Sequence, residues 1–272
     1  MSAKIRRILF SVAILVWSAV ILYFYATGEI AKYLAPDFRL MALVGGLGLA
    51  VLGLFNLLTA DQEADCGHDH DAATDPHDHE SGDVHPLVAL AVLIIPLALS
   101  SAWTTGQFSQ KAASSRGLYD APAQANSPLI ASMLGPITRE DIERNHHKTP
   151  DGYYEMPLME LFFSSGDPEL QKATDGMKIQ TEGRWAEEKV GNPNGTRKRL
   201  YRMFITCCAA DSRAIPIILE FGKTPPEMPE NGWVKVSGTM TFPIEDGLVQ
   251  PVLQVEQALA AEPPYEESFM RR

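Results

Sequence analysis

The chain has 272 residues, room for one ordinary domain and something besides. Its formal charge of -11 argues against a nucleic-acid partner, which would require a basic face to neutralise phosphates. Three cysteines are too few for a disulfide framework. Mean hydropathy is close to neutral because two unlike halves average out: apolar blocks fill much of the first 103 residues, and a charged, mixed segment follows.

The first apolar run, Ile8 to Tyr25, has 18 residues without a charge, and the second, Met41 to Leu58, has 18 with the single polar Asn56. Each rises about 27 Å as a helix, enough to cross the hydrocarbon core of a bilayer. Gly45, Gly46, Gly48, Ala50 and Gly53 give the second run a smooth face suited to close helix packing. A third, shorter run, Leu87 to Trp103, contains Pro96, which a spanning helix tolerates when neighbours satisfy the freed carbonyl. Two rival readings are a cleaved signal peptide for the first run and a buried or interfacial helix for the third. The first run exceeds the usual signal core and no convincing small-x-small cleavage site follows Tyr25, so three spans are expected, near 8–25, 41–58 and 87–103. Lys4, Arg6 and Arg7 then stay in the cytoplasm. Three crossings of the bacterial cytoplasmic membrane place the carboxyl half outside; two would keep it inside.

Between the second and third runs, residues 59–86 carry five histidines among acidic residues with no lysine or arginine. Two His-Asp-His triplets, His68-Asp69-His70 and His77-Asp78-His79, are flanked by Cys66 and His85. Imidazole nitrogen and carboxylate oxygen suit zinc, or another divalent transition metal such as nickel or copper. The segment is too polar to bury a core, and such a loop binds weakly and exchanges quickly, which fits collection or sensing. The plainer alternative is a solvated acidic spacer.

Residues 107–127 are small and polar and read as a linker, so the soluble domain is expected over 128–272. Leu129, Met133 and Leu134 have helical spacing; Thr138 then offers a helix cap with Asp141 three residues on, and Met156 to Phe163 is a second helix candidate. Strand patterns follow over 177–187, from Arg199 after the turn at Gly191 to Gly195, over 214–221, from Gly232, and over 248–259. About five short strands with flanking short helices predict an α+β protein whose soluble part is a small OB-like barrel. Strand number alone leaves a sandwich open.

The second strand ends in Thr206-Cys207-Cys208-Ala209-Ala210-Asp211. In a regular strand adjacent side chains point to opposite faces, so the two thiols could share an ion only if the strand stops there. One reading buries them as small hydrophobes. The other joins Cys207, Cys208 and Asp211, with His146 or His147, in a soft-metal or redox site.

The stretch Ile205 to Asp211, followed by Gly232 to Met240 and by Glu262 to Glu267, resembles the carboxyl domain of the YcgQ-like family of permease subunits. The resemblance extends over nearly the whole chain, including the apolar runs and the histidine-rich loop. It implies a multi-span permease of the YraQ type as partner and metal-ion handling, with zinc foremost, and it marks Cys207, Cys208 and Asp211 as signature residues. The chain has no P-loop, HExxH or nucleophile elbow, so no enzyme activity and no nucleotide are expected. The leading expectation is therefore a membrane-anchored accessory subunit of a two-component metal permease. The alternatives are a membrane-tethered thiol redox or soft-metal-sensing protein using the vicinal cysteines, and an envelope protein-interaction module without a metal role.

Overall fold

The computed structural model describes residues 3–60, 88, 90–92, 94–95, 108–120, 138–229 and 231–270. The chain divides into two units, 1–106 and 107–272. The histidine loop, with Cys66, His68, Asp69, His70, His77, Asp78, His79 and His85, lies outside the described residues, as does most of the third apolar run.

In the first unit, α1 (Ala3–Ala26) leads through a 3-10 turn, Glu29–Lys32, into α2 (Pro36–Leu58). Pro36 opens α2, where its missing N–H costs no helical hydrogen bond. Gly46 and Gly53, seven residues apart, meet α1 on one face. A β-carbon on Gly53 would fall 2.8 Å from Leu15, and one on Gly46 3.1 Å from Ile21 and Leu22. The Ser18 hydroxyl donates to the Gly46 carbonyl at 2.8 Å across the same contact. The small-residue face expected from the sequence is thus split, because Gly45 and Gly48 point away and meet nothing within 4 Å. Outward side chains such as Met41, Val51, Phe55 and Leu58 are more than half exposed. Both helices are long and apolar enough to cross a membrane, and only 17% and 11% of their apolar windows are buried, unlike the core helix of a soluble protein.

The second unit is mostly strand. Short helices α3 (Gln110–Ser114) and α4 (Arg139–Asn145) precede β1 (Tyr154–Glu155), α5 (Leu158–Ser164) and α6 (Pro168–Thr174). Thr138 and Asp141 form the reciprocal cap anticipated for α4. Five long strands follow: β2 (Lys178–Glu187), β3 (Arg197–Ile205), β4 (Arg213–Glu220), β5 (Trp233–Thr241) and, after the two-residue strands β6 (Ile244–Glu245) and β7 (Leu248–Val249), β8 (Val252–Ala261). β9 (Phe269–Met270) is an edge addition parallel to β3.

The pairings run in a ring. β2 is antiparallel to β5, β5 to β8, β8 is parallel to β4, β4 is antiparallel to β3, and β3 returns antiparallel to β2. At the register shift between β5 and β8, a β-carbon on Gly238 would sit 2.0 Å from the Gln254 carbonyl, so only glycine fits. Ile179, Leu200, Ile217, Val236 and Leu253 fill the interior, with Leu158 and Leu161 of α5 packed against them.

Two expectations are corrected. The strand expected over 248–259 is broken near Pro251: β7 pairs with β6 through a turn with Asp246 and Gly247 both at positive φ, and β8 starts at Val252. Residues 108–120, expected within a linker, instead belong to the folded unit. Phe108, Ala113 and Leu118 form a second core with Ala186, Tyr201, Met203 and Ile205. The Tyr201 hydroxyl donates to the Phe108 carbonyl at 2.8 Å, and the Arg199 guanidinium bridges the Leu118 carbonyl and the buried Glu188 carboxylate. Small polar residues on the surface of this segment hid three apolar anchors spaced for burial.

The substitution Leu118→Ala is therefore expected to destabilise the full-length protein by about 3 kcal/mol, as a buried leucine does and a linker leucine does not. Chemical denaturation in detergent, followed by near-ultraviolet circular dichroism, measures the loss; an unchanged midpoint would return the segment to the role of linker.

Candidate metal centre

β3 leaves the sheet at Ile205 and β4 begins at Arg213, so Thr206 to Ser212 form the connection between them. Within it Ala209–Asp211 is a single 3-10 turn that swings Asp211 back over the start of the loop. The Asp211 carboxylate accepts the Thr206 amide at 3.2 Å on Oδ1 and the Cys207 amide at 2.7 Å on Oδ2. The Asp211 amide donates to the Cys208 carbonyl at 3.1 Å, and the Ser212 hydroxyl donates to the Ala209 carbonyl at 2.7 Å. The loop is braced from outside by Arg116, whose guanidinium reaches the Ser212 hydroxyl and whose carbonyl accepts the Ala214 amide at 2.8 Å.

Because the strand has ended, the alternation that would send neighbouring side chains to opposite faces no longer applies. The two sulfurs and a carboxylate oxygen of Asp211 lie within 4.8 Å of one another. Both thiols are free and half-buried, and Asp211 is exposed. A tetrahedral ion with thiolates at ~2.3 Å wants sulfurs roughly 3.8 Å apart, a separation that side-chain rotation can reach from here.

The electrostatics tie the three groups together. The hydrogen bond to the Asp211 carboxylate, and after it the one to Cys208, pushes the Cys207 thiol up to about 11. Partial burial works against ionisation of Asp211, but bonds from the Cys207 thiol and from the Cys207, Thr206 and Cys208 amides outweigh it and hold the carboxyl below its usual range. A proton thus rests on sulfur and a negative charge on Asp211.

Neither His146 nor His147 joins the group. His146 is occupied between α4 and α5, with Nδ1 2.8 Å from the Ile142 carbonyl and Nε2 2.9 Å from Glu160. Among the described residues Cys207, Cys208 and Asp211 are the cluster of ligand atoms that converge. Two contributions escaped the sequence reading. The role of Asp211 as a clamp had a local signal, a carboxylate in the loop six residues beyond the end of β3, where such side chains bond neighbouring backbone amides. The brace from Arg116 had none, since it is 96 residues from Ser212.

Residues 9–119 match the DUF1980 N-terminal domain, and residues 172–267 match the DUF1980 C-terminal domain. The chain carries both DUF1980 domains. The C-terminal match contains all five long strands of the ring and the whole Cys207 to Asp211 loop, while the N-terminal match runs through both long helices and ends in the bracing segment. No curated protein matches the chain. A crystal structure of a DUF3299 family protein from Pseudomonas aeruginosa PAO1 is similar over 34% of this chain and 65% of that one, at 14% identity and a TM-score of 0.25.

The position of the proton has a measurable consequence. At pH 7 only on the order of one Cys207 in ten thousand is thiolate, so alkylation by iodoacetamide is expected to be slow and to rise tenfold per pH unit up to the thiol's pKa. Asp211→Asn removes the charge that holds the proton on sulfur and should speed alkylation at pH 8 about tenfold for each unit by which the pKa falls back. Peptide-resolved mass spectrometry reads the rate at Cys207; equal rates in the two proteins would show that Asp211 does not control the thiol.

Proposed function

We propose that this DUF1980 protein is the membrane-anchored accessory subunit of a two-component metal-ion permease, with zinc as the ion best suited to its ligands. The observation that carries the reading is the convergence of Cys207, Cys208 and Asp211 in a loop clamped for that geometry. Two thiolates and a carboxylate are borderline-soft donors of the kind zinc accepts. Two long apolar helices on the same chain supply the anchor.

In this reading the ring of pairings β2–β5–β8–β4–β3–β2 is an OB-type barrel, which presents loops at its ends on a rigid frame. The His/Asp-rich segment 59–86 collects a divalent ion on the cytoplasmic side through His68, His70, His77, His79 and His85 with Cys66, Asp69 and Asp78. A third span over 87–103 carries the barrel to the extracytoplasmic side of the bacterial inner membrane. The ion path itself belongs to a multi-span partner of the YraQ type, because the two long helices here offer few intramembrane polar groups to line one.

A thiol redox activity is the weaker reading. The two thiols are adjacent and lack the Cys-x-x-Cys spacing on which dithiol exchange sites are built.

Purification of the full chain from native membranes tests the proposal. A multi-span permease is expected to co-purify, with close to stoichiometric zinc by elemental analysis, and the zinc is expected to fall in the double variant C207S/C208S. Recovery of the chain alone and metal-free would overturn it.

A further inference from the structure

We propose that Cys207, Cys208 and Asp211 form an open transfer site for a thiophilic d10 cation, three donors from this chain leaving a fourth coordination position for an exchangeable ligand. The inference rests on the metal-handling reading above and deepens it by naming the ion class and the mode of exchange.

Three features of the loop point this way. The donor set stops at three among the described residues, and structural zinc sites close with four whereas working sites keep one position for an incoming group. The Asp211 carboxylate is exposed and already accepts two backbone amides, so it is a weaker donor than a free carboxylate and its main contribution is to orient the sulfurs. The thiolates then dominate the affinity, which favours Zn(II), Cd(II) or Cu(I) over hard cations such as Mg(II). Finally, the thiols are half-buried on a connection between strands, so an imidazole or water can reach the ion from one side while the braced loop holds the other.

For a divalent ion the exchange balances simply. Two S–H bonds break, two metal–sulfur bonds and one bond to the Asp211 carboxylate form in place of waters of the hydrated ion, two protons and those waters leave to solvent, and the incoming imidazole nitrogen displaces the remaining water from the fourth position without any change of oxidation state.

Cobalt(II) substitution reads both claims. The test protein is the full chain in detergent carrying C66S, H68N, H70N, H77N, H79N and H85N, so that the loop cannot bind. Cobalt is expected to give a sulfur-to-metal charge-transfer band with tetrahedral d–d absorption. Adding imidazole should shift the d–d bands while the charge-transfer band persists. C207S/C208S should abolish the charge transfer, with circular dichroism confirming the fold, and the milder D211N should keep it at about tenfold weaker affinity. Absence of a charge-transfer band, or d–d bands indifferent to imidazole, would overturn the open-site inference. If cobalt bound with a charge-transfer band that imidazole left unchanged, the site would be closed and the open-site inference alone would fall; absence of any thiolate band would remove the support that this loop gives to the permease-subunit reading as well.

Discussion

The carboxylate of Asp211 decides where β3 stops, and the chemistry of the loop follows from that stop. Had the strand continued, Thr206, Cys207 and Cys208 would have donated and accepted in the ladder with β4, and the two thiols would have faced opposite sides of the sheet. Asp211 instead takes the amides of Thr206 and Cys207 onto its two oxygens. A charged acceptor makes stronger bonds than a strand carbonyl, so the chain is diverted rather than frayed. The same two bonds leave the sulfurs beside the carboxylate, and the pair of effects cannot be separated: the residue that terminates the strand also sets the charge around the thiols.

A clamp of this kind works only on a loop whose far side is held. Residues 108–120 supply that support from a distant part of the chain. Arg116 meets Ser212 at the end of the loop, and Leu118 lies fully buried among Tyr201, Met203 and Ile205 of the strand that leads into it. The buried Arg199–Glu188 pair adds little net stability, because its desolvation offsets much of its attraction. What it does fix is registry, since the guanidinium also bonds the Leu118 carbonyl and so positions the segment along β3.

Much of the second unit was readable from local pattern. Four of the five long strands fall close to their expected ranges because alternating burial and the Gly-Asn-Pro-Asn-Gly turn are local signals, as is the Thr138–Asp141 cap. The break at Pro251 was missed because an apolar run on both sides of a proline looks continuous when its hairpin partner is only two residues long. The packing of 108–120 was missed for a different reason: Phe108, Ala113 and Leu118 are too few and too widely spaced to form a periodic signal, and their partners lie some 70 to 110 positions away. At the candidate site the donor residues were visible in the sequence, but their convergence was not, since it depends on a strand end set by hydrogen bonds. His146 looked available and is instead held by the Ile142 carbonyl and Glu160.

Adjacency of the two cysteines also bears on how a thiol site could persist outside the cytoplasm, where the proposed topology puts it. Oxidising compartments close most cysteine pairs into disulfides. Neighbouring residues, however, have Cα atoms only ~3.8 Å apart, whereas disulfides ordinarily require roughly 4.4 to 6.8 Å, so a Cys207–Cys208 bridge would be strained and readily reduced. Consecutive positions in a turned loop thus place two soft donor atoms side by side yet resist closing on each other as a disulfide, a combination that a Cys-x-x-Cys spacing would not provide.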